Sequence, residues 1–137
     1  MGCNIHGHIE VRQYPEHSPN YWYSVHPITN YRNYIFYAVI ADVRNGFDLP
    51  IISKPKGLPN DVGMMAKIDS KEMGLDGHSH SWLTYDELLN YTWIYRTPDF
   101  VVYDEVHPYF KALMSELDCL VNEFGVENVR VVFWFDN

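Results

Sequence analysis

Two stretches at opposite ends of the chain alternate apolar and polar residues, and they constrain the fold more than anything between them. Ile5, Gly7, Ile9 and Val11 fall on one face of an extended segment, with His6, His8, Glu10 and Arg12 on the other. Val129, Val131, Phe133 and Phe135 repeat the pattern near the far end. A period of two predicts strands over 4–12 and from Val129 onward. The first and last strands are expected in one sheet, so the chain between them must leave that sheet and return to it.

The segment between supplies the covering elements. Gln13 to Asn20 reads as a loop and Tyr21 to Val25 as a second, aromatic strand. Thr29 or Asn30 is placed to cap a helix from about Tyr31 to Arg44, whose apolar face is Ile35, Phe36, Val39, Ile40 and Val43. Asn45-Gly46 is its expected stop, and the aromatic and β-branched content leaves a strand as the competing reading. Pro50, Pro55, Gly57 and Pro59 make 47–60 a long irregular connection, with Ile51 and Ile52 expected to pack inward. A short helix is expected after Asp61, ending before Gly74. Thr84-Tyr85-Asp86-Glu87 fits a capping box for a helix running to about Tyr91. Thr92 to Arg96 and Asp99 to Tyr103 read as strands. Pro108 opens a helix bearing Phe110, Leu113, Met114, Leu117, Leu120, Val121 and Phe124 on one face, and Gly125 stops it. The expected fold is α+β in a single domain over 1–137: a small, largely antiparallel sheet with helices packed mainly on one face.

Composition narrows the function classes. A hydrophobic content of 47% excludes a disordered chain. A net charge of -8 argues against long nucleic acid as a partner, because that binding draws on a basic surface. A small phosphorylated ligand needs only a few local cations and stays open. Cys3 and Cys119 do not form a disulfide framework, so reduced thiols and a cytoplasmic location are expected. The apolar run from Tyr34 to Ala41 is too short for a membrane span.

Reactive groups concentrate in Asp76-Gly77-His78-Ser79-His80-Ser81-Trp82-Leu83-Thr84. In an extended segment His78 and His80 point the same way, as do His6 and His8. Each pair therefore offers two imidazoles to one centre. One form of the site holds a divalent metal ion on His6, His78 and His80. The metal-free form uses the same histidines as general base and acid, with Asp76 orienting one of them. Against both stands the plain alternative of histidines on a solvated strand face. Arg44 and Asn45, at the predicted helix end, suit a phosphate, and Ser79, Ser81 and Trp82 suit the rest of a ligand. Cys3 reads as a small buried hydrophobe ahead of a nucleophile.

Three stretches together resemble a family of small, mostly uncharacterised phage proteins. They are Met1-Gly2-Cys3-Asn4-Ile5-His6, then Arg32-Asn33-Tyr34 with Asp42-Val43-Arg44-Asn45-Gly46, and Gly57-Leu58-Pro59 with Asp76 to Thr84. The family typically opens Met-Gly-Cys-Asp-Ile-His and shares His-Ser-His-Ser-Trp-Leu-Thr, so Asn4 departs from its usual Asp. A phage origin implies countering host defence or remodelling host nucleotide metabolism. The expectation is a phosphodiesterase-like hydrolase of a phosphate-containing small molecule such as a cyclic-nucleotide immune signal. The alternatives are a non-catalytic binder of such a signal, as a homo-oligomer, and a protein inhibitor of a host defence factor.

Overall fold

One strand, Val129–Phe135 (β6), is buried along its whole length on both faces. The computed structural model describes residues 2–28, 32–92, 94–96, 101–103 and 108–137, with backbone alone for 94–96 and 101–103. β6 lies inside a four-stranded antiparallel sheet, between Ile5–Val11 (β1) and His78–Thr84 (β3). Tyr23–Pro27 (β2) pairs with the outer side of β1, giving the order β2-β1-β6-β3. The two alternating stretches at the chain ends are thus direct neighbours, from Ile5 opposite Phe135 to Val11 opposite Val129.

The alternation sorts the sheet's two faces. Ile5, Ile9, Val11, Leu83, Val129, Val131, Phe133 and Phe135 enter the main core. Helices Tyr34–Ala41 (α1), Tyr85–Leu89 (α3) and Pro108–Phe124 (α4) cover that side through Phe36, Leu88, Phe110, Leu113 and Leu117, among others. The other face carries His6, His8, Glu10, Arg130, Val132 and Trp134. Helix Met64–Met73 (α2) covers it, packing Ala66 and Met73 with Val132, Trp134 and Trp82. Ile94–Arg96 (β4) and Val101–Tyr103 (β5) form a separate short two-stranded sheet. The fold is therefore α+β as expected, with three α-helices on one face and one on the other among the described residues.

The helix signals held unevenly. The Thr84 capping box is present in both directions, with the Thr84 side chain accepting from the Glu87 N–H and Glu87 accepting from the Thr84 N–H. α3 ends at Leu89, short of Tyr91. α4 is the predicted helix, and Gly125 stops it at φ 93°, a left-handed conformation suited to glycine. α1 differs at both ends. The caps expected at Thr29 or Asn30 lie outside the described residues, and the Asn33 side chain caps α1 by accepting from the Phe36 N–H at 2.9 Å. The helix stops at Ala41, where Asp42 turns left-handed and donates its N–H to Ala38. Asn45-Gly46 is not the stop. Asn45 instead ties the following loop, accepting from the Leu49 N–H at 2.7 Å and donating to the Leu49 carbonyl and the Asp42 carboxylate. Ile51 and Ile52 are both half-buried, and Ile52 packs on the core.

Charges lie within the α2 face. Glu10 is fully buried and opposite Arg130 in register. Its Oε1 accepts from Arg130 Nε at 2.9 Å, and its Oε2 from the Gly63 N–H at 2.8 Å. A side chain at position 63 would put its Cβ 2.3 Å from that oxygen, so glycine is required there. Asp61 accepts from Arg130 Nη1 at 2.9 Å and from the Trp22 indole at 2.9 Å. Burial raises the Asp61 pKa, but the Arg130 and Trp22 bonds outweigh it and hold the carboxyl below its ordinary value. Among the described residues no helix is long and apolar enough to cross a membrane.

Breaking the buried pair leaves one uncompensated charge inside. Arg130→Met should cost about 3–5 kcal/mol of stability in urea unfolding, and Glu10→Leu with Arg130→Met should recover much of that loss. Equal losses in the single and double variants would contradict the buried-charge account.

Candidate functional site

The antiparallel pairing brings the start of β1 beside the end of β6, and Asp136, one residue past β6, lies at that junction. Its Oδ1 accepts from the Asn4 N–H at 2.8 Å, and its N–H returns a bond to the Asn4 carbonyl at 3.0 Å. Oδ2 lies 2.8 Å from His6 Nε2. A carboxylate only accepts, so His6 Nε2 carries a proton and Nδ1 is the nitrogen left for chemistry. On the other side of β6, His78 Nε2 lies 3.1 Å from the Asp136 carbonyl. Burial pushes the Asp136 carboxyl up, yet the bonds from His6 and Asn4 together bring it below its ordinary value of 3.8. His6 and His78 are therefore gathered by Asp136, each from a strand flanking β6.

His78 and His80 do not face one centre as an even strand would place them. Ser79 takes φ 55°, and the register slips between His78 and Ser81. This bulge turns the two rings apart. His78 lies opposite Phe135 with ring centroids 6.2 Å apart, whereas His80 stacks on Trp134 at 6.0 Å and 19°. His78 is doubly held, because Ser79 Oγ lies 2.9 Å from its Nδ1. The His80 ring has no hydrogen bond among the described residues, while its carbonyl accepts from the Gly57 N–H at 2.8 Å. Burial first, and the neighbouring His78 charge second, lower its pKa from 6.5, so it is neutral at pH 7.

Trp134 stands between the available imidazoles. It is opposite His6 in register and stacked on His80. It is 1% exposed, and its indole N–H has no acceptor among the described residues. An unmet buried donor of this kind costs about 1–3 kcal/mol. A cavity of about 390 Å³ lies beside it, lined also by His6, Ile28, Asp69, Glu72 and Met73.

The remaining expected site residues are mostly structural. Asp76 is exposed in the 3-10 turn Gly74–Asp76, and among the described residues no histidine bonds its carboxylate; Asp136 holds that role instead. Ser81 is fully buried and accepts from the Lys56 N–H at 3.0 Å, which ties the proline-rich loop to β3. Ser79 holds His78, and Asn45 holds its loop. Arg44 takes a left-handed backbone, lies over the Tyr34 ring at 5.3 Å and lines a separate cavity of about 250 Å³. Cys3 is 1% exposed, and burial raises its thiol pKa, as a core residue's would be. Among the described residues no three His, Cys, Asp or Glu side chains gather as a metal-holding group. His8 is also structural: Nε2 lies 2.5 Å from Asp69 and Nδ1 2.7 Å from Ser24, which pins α2 to β1 and β2.

Two features had weaker signals in the sequence. Asp136 could have been found by pairing the chain ends antiparallel, which puts the acid after Phe135 next to Asn4 and His6. Arg32, named in the sequence only as part of the family resemblance, joins the site in space: its Nε donates to Asn4 Oδ1 at 3.1 Å, so a guanidinium lies one residue from the Asp136 junction.

A second, larger cleft of about 910 Å³ lies near the opposite end of β6, with Trp22, Trp82, Arg130, Lys56 and Asp61 in its wall. Arg130 is 3.9 Å from the Trp22 ring centre and 5.9 Å from that of Trp82; Arg12 is 5.0 Å from Trp22, and Lys56 4.1 Å from Trp82. Each indole already meets two of the chain's own cations. No histidine is among the described residues lining this cleft. Compared with known proteins, the chain matches no family model, no curated protein and no solved structure.

The depressed Asp136 pKa gives a pH signature. Its stabilisation is fully present above the ordinary carboxyl value near 3.8 and is lost as pH falls through its lower folded value. The stability gap between the native chain and Asp136→Asn should shrink as pH falls below about pH 4. Unfolding titrations at several pH values test this, and a gap that stays constant into acid would contradict it.

Proposed function

We propose that the chain is a hydrolase of a phosphate-containing small molecule, with His6 as its proton-transfer residue. The observation that carries this reading is the Asp136 junction: a carboxylate held ionised grips His6 Nε2, and His6, with no hydrogen bond to Nδ1 among the described residues, is one of the residues lining a cavity. A carboxylate in that place orients the ring and stabilises the positive charge that forms when Nδ1 takes a proton from an attacking water. Arg32, joined to the junction through Asn4, supplies positive charge for a phosphate. His80, neutral at pH 7, is a second proton acceptor on the far side of Trp134. In the setting implied by the phage resemblance, the substrate is a nucleotide immune signal and the role is counter-defence.

A second reading is sequestration without turnover. It is favoured by the cleft of about 910 Å³, which has aromatic walls and no histidine among its described lining residues.

The test is incubation with a panel of linear and cyclic nucleotides, with and without divalent metal, followed by mass analysis of the products. His6→Gln and Asp136→Asn should each lower turnover by about 10²–10⁴-fold, and His80→Gln by much less. Intact nucleotides throughout, or full turnover in His6→Gln, would overturn the catalytic reading. A nucleotide recovered unchanged from the heat-denatured complex would select sequestration.

A further inference from the structure

We propose that the cavity beside Trp134 takes a guanine-type base, one that presents a ring carbonyl next to N–H donors. This rests on reading the Asp136 junction as part of a nucleotide site. Three observations point to it. Trp134 lines the cavity, is 1% exposed, and has an indole N–H without an acceptor among the described residues. Ile5, Pro27, Ile28 and Met73 supply apolar wall, as a flat ring requires. Glu72, exposed on α2, adds a carboxylate that has no hydrogen bond or ion pair among the described residues.

The chemistry of these groups selects the ligand. The indole N–H needs an acceptor, but the carboxylates of Asp69 and Glu72 repel a phosphate or carboxylate oxygen inside the cavity. The acceptor is therefore a neutral carbonyl. Glu72 needs donors, and a carboxylate takes two parallel N–H groups best. Guanine places both on one edge, with O6 for the indole and N1–H with the exocyclic amino group for the carboxylate. Adenine reverses the pattern: its amino group would meet the indole N–H, and its bare N1 would meet the carboxylate. Hypoxanthine keeps the carbonyl and N1–H but lacks the exocyclic amino group. In this arrangement the base takes the part of the cavity by Trp134 and Glu72, and the phosphates of a guanine nucleotide lie away from the two carboxylates, by His6 of the same lining.

The test uses the full-length ¹⁵N-labelled chain titrated with guanosine, inosine and adenosine, which carry no phosphate. The indole N–H resonance of Trp134, assigned from its loss in Trp134→Phe, should move on adding guanosine. Inosine should bind on the order of tenfold more weakly, and adenosine should leave the resonance in place. Glu72→Gln, at an exposed position, should weaken guanosine binding on the order of tenfold or more with an otherwise unchanged spectrum. No shift at millimolar guanosine, or adenosine binding as tightly, overturns the proposal even if nucleotides are hydrolysed. Guanosine binding without hydrolysis of any nucleotide upholds it and removes the catalytic reading alone.

Discussion

A fully buried carboxylate, Glu10, faces Arg130 on the neighbouring strand, and much of the α2 side depends on that pair. Neither charge tolerates an apolar surrounding unless its remaining hydrogen-bonding capacity is met. Glu10 meets it by taking the Gly63 N–H, which fixes the entry to α2. Arg130 meets it with the side chain and carbonyl of Asp61, which fix the preceding loop. His8 adds a third tie by gripping Asp69 further along α2. The helix is thus docked largely through polar groups, while the opposite face of the sheet is held by apolar packing of three helices.

That difference bears on where the two larger described cavities lie. A wholly apolar interface closes to crystal-like density. A helix seated on fixed polar contacts leaves gaps where those contacts end. One lies near Trp22, Trp82 and Arg130, filled in part by the chain's own cations against the indoles. The other lies beside His6 and Trp134, where the contacts give way to Met73 and Glu72. The proposed function is placed at the second because its lining includes His6, an imidazole with one nitrogen held by Asp136.

The sequence made the frame legible because each element carried a local signal. The end strands alternated, Thr84 had Glu87 three residues on, and Gly125 followed a long amphipathic face. Signals failed where tertiary contacts decided. The α1 stop moved from Gly46 to Asp42 because Asn45 is used to brace a loop against Leu49. The His-x-His spacing promised one centre, but a single left-handed residue, Ser79, broke the period of two. Asp76 was close to the histidines in sequence, and Asp136, 130 residues from His6, was close in space. The solvated face weighed as the plain alternative for β1 instead carries the ion pair beneath α2.

The central claim is that Asp136 fixes His6 with its Nε2 protonated, which leaves Nδ1 as the nitrogen that takes the proton in the proposed reaction. Long-range ¹H–¹⁵N spectra of the imidazole, recorded above its titration in the native chain and in Asp136→Asn, test this directly. The native His6 should be predominantly the Nε2–H tautomer, and Asp136→Asn should erode that preference, because an amide can donate as well as accept. A predominantly Nδ1–H native ring, or a tautomer ratio indifferent to Asp136, would contradict the account.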